Sequence, residues 1–147
     1  MRRVVVTGMG PITPVGIGVD AFWTALIEGR SGIARITAFD PAEYPTQIAG
    51  EIRDWKPELY IDRKEARRMD RFAQFAVVGA GLALAQARLE ITPDIAERIG
   101  VYVGSGIGGL ATWEEQHSLL LSRGPRRVSP FFIPMMISDM ASGPISI

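Results

Sequence analysis

The sequence contains no cysteine. Disulfides, thiolate metal sites and a cysteine nucleophile are therefore excluded within its 147 residues, and a reducing, cytoplasmic setting suits it. It has a single histidine, His117, so no histidine pair can hold a metal or divide acid and base work. It has no net charge, because sixteen Lys and Arg balance sixteen Asp and Glu. No global electrostatic argument for nucleic acid or membrane survives, and charge has to be read locally. Long hydrophobic runs are missing too. The longest stretch without a polar side chain, 75–85, is eleven residues, where a bilayer-spanning helix needs about 20. The N-terminal MRRVVVTGMG offers three valines, where a secretory core needs about 7–15 apolar residues. Internal repeats, low-complexity segments and linkers are also absent, so 1–147 reads as one domain or part of one.

What is present alternates between two periodicities. Val4, Val5 and Val6 predict a strand buried on both faces, closed by Thr7-Gly8 and the prolines Pro11 and Pro14. Asp20 can cap a helix carrying Phe22, Trp23, Leu26 and Ile27 and ended by Gly29. Pro41, Pro45 and Pro57 make 31–61 mostly loop, with a short strand at 47–52. Asp62 opens a charged helix, DRKEARRMD. The stretch 72–89 is apolar almost all round, broken only by Gln74, Gln86 and Arg88, and predicts a helix buried on every side, with Gly79 and Gly81 allowing a neighbour close. A second buried strand is expected at 99–103. Leu110, Trp113, His117, Leu120 and Leu121 mark one helix face, ended by Gly124. The prolines at 130 and 134 predict an extended piece, followed by a helix at 135–142 and the start of a strand in GPISI. Alternating strand and helix give an α/β class with a mostly parallel sheet.

Two features bear on function. The stretch VYVGSGIGGL holds Gly104, Gly106 and Gly109 in a G-x-G-x-x-G spacing between a predicted strand and helix. A dinucleotide site also needs an acidic residue about 20 positions on, for the ribose, and no Asp or Glu lies between Glu115 and Asp139. Two other readings are open: glycines that allow a tight turn, or glycines that open a narrow cavity to an apolar ligand, with Ile107 standing among them. Ser105 lies between Gly104 and Gly106, but a nucleophile elbow needs glycine at 103 and 107, where Val103 and Ile107 stand, and the adjacent Glu114 and Glu115 point to different helix faces. The second feature is basic. Lys64, Arg67, Arg68 and Arg71 are spaced to share one helix face, and Arg123, Arg126 and Arg127 form a cluster without acidic neighbours. Such runs fit either a solvated face or an acidic partner.

Five ordered segments, VVVTGMGPITPVG (4–16), GRSGI (29–33), RKEARRMDRFAQFA (63–76), GSGIGGL (104–110) and GPRRVSPFFIP (124–134), together resemble the β-ketoacyl-[acyl-carrier-protein] synthases, in particular the type II elongating enzymes of bacterial fatty acid synthesis. The resemblance covers roughly the first third of such an enzyme. It implies the N-terminal portion of a thiolase-like fold with α-β-α-β-α layers, and an acyltransferase that joins acyl groups by decarboxylative Claisen condensation. It implies acyl- and malonyl-loaded acyl carrier protein as partners and a cytoplasmic homodimer, with no cofactor, metal, nucleic acid or membrane. The family's cysteine, two histidines and active-site lysine lie beyond position 147, and His117 matches neither histidine, so this chain alone is expected to be inactive. Lys64, Arg67, Arg68, Arg126 and Arg127 match positions that contact the carrier protein. Ile107 matches a residue lining the acyl pocket, and Phe132 and Ile133 match the segment that closes it near the dimer interface. Asp139 departs from the family, which usually has Asn there. Helix 72–89 is expected to lack its covering layer in a chain this short, leaving an exposed apolar patch.

Overall fold

The computed structural model describes residues 3–147; Met1 and Arg2 of the N-terminal stretch lie outside them. The chain forms two compact units. One runs up to Trp55 and includes Gly81–Leu89; the other comprises Lys56–Ala80 and Glu90–Ile147.

In the first unit, β1 (Ile12–Thr13) and β2 (Gly16–Ile17) pair antiparallel, with Ile12 opposite Ile17. Pro14 and Val15 form the turn, and the Thr13 hydroxyl donates to the Gly16 carbonyl at 2.8 Å. α1 (Val19–Ile27) follows from Gly18, at φ 80°. The Gly18 carbonyl accepts the Phe22 amide at 3.1 Å, so the helix begins earlier than predicted. Asp20 falls in the first turn, where its charge suits the dipole, and does not cap. Gly29 at φ 66° ends the helix as expected. Only Ala25 of α1 is buried, and Trp23, Leu26 and Ile27 are exposed. β3 (Ile33–Arg35) and β4 (Ile48–Gly50) form a second antiparallel pair, the latter inside the predicted 47–52.

The Glu51 carboxylate beyond β4 receives the Thr37 hydroxyl at 2.9 Å, the Ala38 amide at 3.0 Å and Arg53 Nε at 3.3 Å. It thereby fixes the loop that leaves β3. Burial pushes this carboxyl up, but the Thr37 hydroxyl, the Ala38 and Thr37 amides and the Arg53 charge outweigh it and hold the group below its ordinary value.

Two predicted strands do not form. Residues 4–6 and 99–103 belong to no sheet, and the only sheets among the described residues are the two antiparallel pairs. Val4 is 95% exposed and Tyr102 99%. A parallel strand is held by partners on its edges and layers on its faces; neither segment has an edge partner, residues 4–6 are exposed, and 99–103 is covered on one face only, through half-buried Ile99, Val101 and Val103. The same reason corrects the expectation for the long helix. α3 (Arg71–Ala87) forms where predicted, but only Ala73 and Val78 are buried. Most of the rest is half-buried, and Gly81, Ala85 and Gln86 are exposed. A Cβ added at Gly81 would meet nothing within 4 Å beyond its own helix. Its two glutamines are braces. Gln86 accepts the Met9 amide at 2.6 Å, and Gln74 donates to the carbonyls of Ala66 at 2.9 Å and Met69 at 3.1 Å.

The second unit is helical. α2 (Arg63–Ala66) is capped by Asp62, whose carboxylate accepts the amides of Lys64 at 2.7 Å and Glu65 at 3.2 Å. α4 (Pro93–Ala96) is a single turn. α5 (Leu110–Arg123) ends at Gly124, φ 79°, as the sequence predicts. The predicted extended piece is helical instead. α6 (Phe132–Met136) places Pro134 in its first turn, where an amide has no intrahelical acceptor to lose. GPISI likewise folds as α7 (Gly143–Ser146), not as a strand.

Candidate functional site

The second unit places one carboxylate at the start of two helices. Asp70 precedes α3, and its Oδ1 accepts the Phe72 amide at 3.3 Å. Its backbone carbonyl accepts the amides of Ala73 at 3.0 Å and Gln74 at 3.1 Å. Its Oδ2 accepts both the amide of Thr112, at 3.0 Å, and the Thr112 hydroxyl, at 2.6 Å. Thr112 is the third residue of α5, so one side chain satisfies orphan amides at both helix starts. Asp70 is 8% exposed. This capping also explains why the charged helix breaks. α2 stops at Ala66, and Arg67 and Arg68 lie in a turn before α3 restarts at Arg71. Lys64, Arg67, Arg68 and Arg71 therefore do not share one helix face, as their spacing predicted.

The glycine-rich stretch packs against the same carboxylate. A Cβ on Gly109 would overlap the Met135 carbonyl oxygen and lie 3.0 Å from the Asp70 carboxyl carbon and Oδ2. Gly108 has φ +83°, and a Cβ there would overlap the Met136 carbonyl oxygen. The Gly109 amide donates to that carbonyl at 2.8 Å, and the Gly108 amide donates to Ser105 Oγ at 3.0 Å. A phosphate cradle needs free amides at a helix start. Here the amides of Gly108, Gly109 and Thr112 are taken, and a bound anion would face Asp70. The dinucleotide reading is not favoured. A Cβ added at Gly104 or Gly106 would meet nothing within 4 Å. The close approach that Gly108 and Gly109 permit is to the chain's own backbone.

Beside this turn lies a cleft of about 620 Å³, lined by Ile107, Gly109, Leu110 and Trp113 from the turn and α5 and by Met136, Ile137, Ser138 and Asp139 from the end of α6 and the residues after it. Its volume suits a small-molecule ligand, and its walls are mostly apolar. Ile107 is 71% exposed beside it. Phe132, half-buried, and Ile133, exposed, begin the helix that supplies Met136, and neither lines the cleft. His117 is exposed and stacks on Trp113 with ring centroids 5.0 Å apart and planes at 12°.

The basic residues are all exposed. Lys64 lies on α2, Arg67 and Arg68 follow it, and Arg126 and Arg127 lie on a 3-10 turn, Pro125–Arg127, after α5. None of the five makes an ion pair with a described residue. Arg68 lies over the Phe131 ring, 5.3 Å from its centroid, which brings the first group next to the segment following the second. The segment after Arg127 is fixed by buried Gln116, whose side-chain carbonyl accepts the Ser129 amide at 2.7 Å. Asp70, Thr112 and Gln116 were not singled out from the sequence. An acid directly before a long apolar run is a helix-start signal that would have found the first. Nothing local points to the other two.

The whole chain, residues 1–147, matches the family described as "Beta-ketoacyl synthase, N-terminal domain". It is 51% identical over 146 residues to 3-oxoacyl-[acyl-carrier-protein] synthase 2 of Staphylococcus aureus (strain COL), covering 99% of this chain and 35% of the relative. Among solved structures, the ishigamide ketosynthase/chain length factor superposes with a TM-score of 0.81 at 29% identity, over 99% of this chain and 36% of the other. A type II polyketide ketosynthase bound to its acyl carrier protein superposes with a TM-score of 0.79 at 25% identity, over 99% and 38%. The chain thus spans about a third of the length of the curated relatives it matches.

Proposed function

The chain belongs to the β-ketoacyl synthase family and has the N-terminal portion of its thiolase-like fold, and on that premise we propose that the protein it forms elongates fatty acyl chains. The reaction is decarboxylative condensation. An acyl group waits as a thioester on a cysteine, and malonyl on a carrier protein loses carbon dioxide. The resulting carbanion attacks the thioester carbonyl and expels the thiolate. No cysteine lies in these 147 residues, so the acyl-enzyme cannot form on this chain alone. The observation that carries the reading is the family match over the full chain, with half its residues identical to a 3-oxoacyl-[acyl-carrier-protein] synthase.

This portion contributes binding. Lys64, Arg67, Arg68, Arg126 and Arg127 are exposed and without carboxylate partners, a surface for an acidic carrier protein. Screened charges of this kind act chiefly by steering and orientation. One superposing ketosynthase is seen with its acyl carrier protein, which supports the same partner here. The cleft at Ile107 takes the acyl tail, with Leu110, Trp113 and Met136 as apolar walls. Phe132 and Ile133 belong to the segment that closes that region near the interface of a cytoplasmic homodimer. No helix among the described residues is long and apolar enough to cross a membrane. The test supplies acyl-carrier and carboxyl-labelled malonyl-carrier to the protein as its gene encodes it. Release of labelled carbon dioxide that requires both substrates supports the reading. Release without the acyl donor, or none at all, contradicts it.

A further inference from the structure

We infer that Asp70 is a positioning residue that sets, through Thr112 and Gly109, where the Ile107 turn stands and so which acyl chain lengths the cleft accepts. The inference rests on the reading of that cleft as an acyl site.

Three observations converge on the turn. Asp70 is buried and uses both oxygens, Oδ1 on the start of α3 and Oδ2 on the amide and hydroxyl of Thr112 at 3.0 and 2.6 Å. The space left by the absent Gly109 side chain is filled by that carboxylate on one side and by the Met135 carbonyl on the other. Gly108, in the left-handed region, is pressed on the Met136 carbonyl, which also takes the Gly109 amide at 2.8 Å. The turn is therefore held between α3's capping carboxylate and the end of α6. Ile107 precedes this clamp, and Leu110 and Trp113 follow it one helical turn apart. All three line the cleft and are joined through the first turn of α5, so a shift of that turn moves this part of the lining together. A carboxylate that only capped helices would not need to meet the residue next to the cleft. Here the contact with Gly109 makes cap and lining one piece.

A purely structural cap and a positioning residue differ in what they change. Losing a cap weakens the fold and lowers activity on every substrate alike. Moving the lining changes the ratio of kcat/KM for long against short acyl groups, chiefly through KM. The experiment uses the protein as its gene encodes it, assayed with a short and a long saturated acyl-carrier substrate. The variants are Ile107→Ala, Asp70→Asn, Thr112→Val and Thr112→Ser. Ile107→Ala shifts the long-to-short ratio if the cleft is the acyl site. Asp70→Asn and Thr112→Val then each shift it by about threefold or more, and Thr112→Ser, which keeps the hydroxyl, stays near the parent. In the Ile107→Ala background the Thr112→Val shift shrinks, because the two act on the same part of the lining. If Asp70→Asn does not fold, Thr112→Val carries the test, since it preserves shape and the backbone amide. A Thr112→Val protein with both substrates reduced equally overturns this inference and leaves the acyl-site reading intact. An unchanged ratio in Ile107→Ala overturns the acyl-site reading itself, and this inference with it.

Discussion

The side-chain carbonyl of Gln116 accepts the amide of Ser129 at 2.7 Å, tying the middle of α5 to the segment that follows Arg126 and Arg127. Gln116 is buried, so its removal leaves the amide of Ser129 without this acceptor. Gln116→Leu is expected to lower stability by about 1–3 kcal/mol and to weaken carrier-protein binding, because the two arginines lose their fixed base. Gln116→Glu keeps an acceptor and is expected to retain most of both. Urea denaturation and carrier titration of the three proteins check this.

The glycines of 104–109 are expected to differ sharply. Gly109→Ala drives a methyl into the Met135 carbonyl and the Asp70 carboxylate, at about 1–3 kcal/mol. Gly104→Ala and Gly106→Ala meet nothing within 4 Å and are expected to stay within about 0.5 kcal/mol of the parent. Denaturation midpoints decide it. Equal sensitivity at all three positions would contradict the packing contrast between Gly109 and the other two.

Reversing charge on the basic face separates docking from catalysis. Arg126→Glu combined with Arg127→Glu is expected to weaken binding of the carrier protein by about tenfold at low salt. The gap should narrow as salt rises, since exposed charges are screened beyond about 10 Å at 0.1 M. Turnover of a small thioester that bypasses the carrier should hardly change. Stopped-flow association at two ionic strengths, beside that surrogate assay, gives the comparison.

Glu51 gives the first unit an acid-labile point. Its carboxyl sits below the ordinary value, so the folded state favours the charged form. That stabilisation is full above the ordinary glutamate range and is lost as pH falls through the lowered folded value. Melting temperature is therefore expected to drop on acidification, and Glu51→Gln to flatten that part of the profile while lowering stability at neutral pH.

Local signals carried a good part of this structure. Gly29 and Gly124 end α1 and α5 at positive φ, and Asp62 caps α2 with two amides, each legible from residue type and position. The strands at 4–6 and 99–103 were not, because an apolar β-branched run states a demand for partners without saying whether they are in hand. Val4 and Tyr102 are left exposed for that reason. Pro130 and Pro134 suggested extension, but a proline costs nothing in a helix's first turn, and α6 uses that allowance. Within the site, Ile107 and the exposed cations stand out in the sequence. The link from Asp70 to Thr112 joins positions forty-two residues apart, and no local pattern reports such a contact. Asp139, singled out as a departure, does line the cleft, though the reason for its carboxylate there is not explained by its contacts.

Intact-mass spectrometry of the protein as its gene encodes it tests the central claim most directly. Incubated with acyl-carrier alone, it should gain the mass of one acyl group. Adding malonyl-carrier should remove that mass and yield carrier-bound 3-oxoacyl product two carbons longer than the donor. A protein that never gains the acyl mass, or an acylated form that malonyl-carrier leaves untouched, would contradict the account.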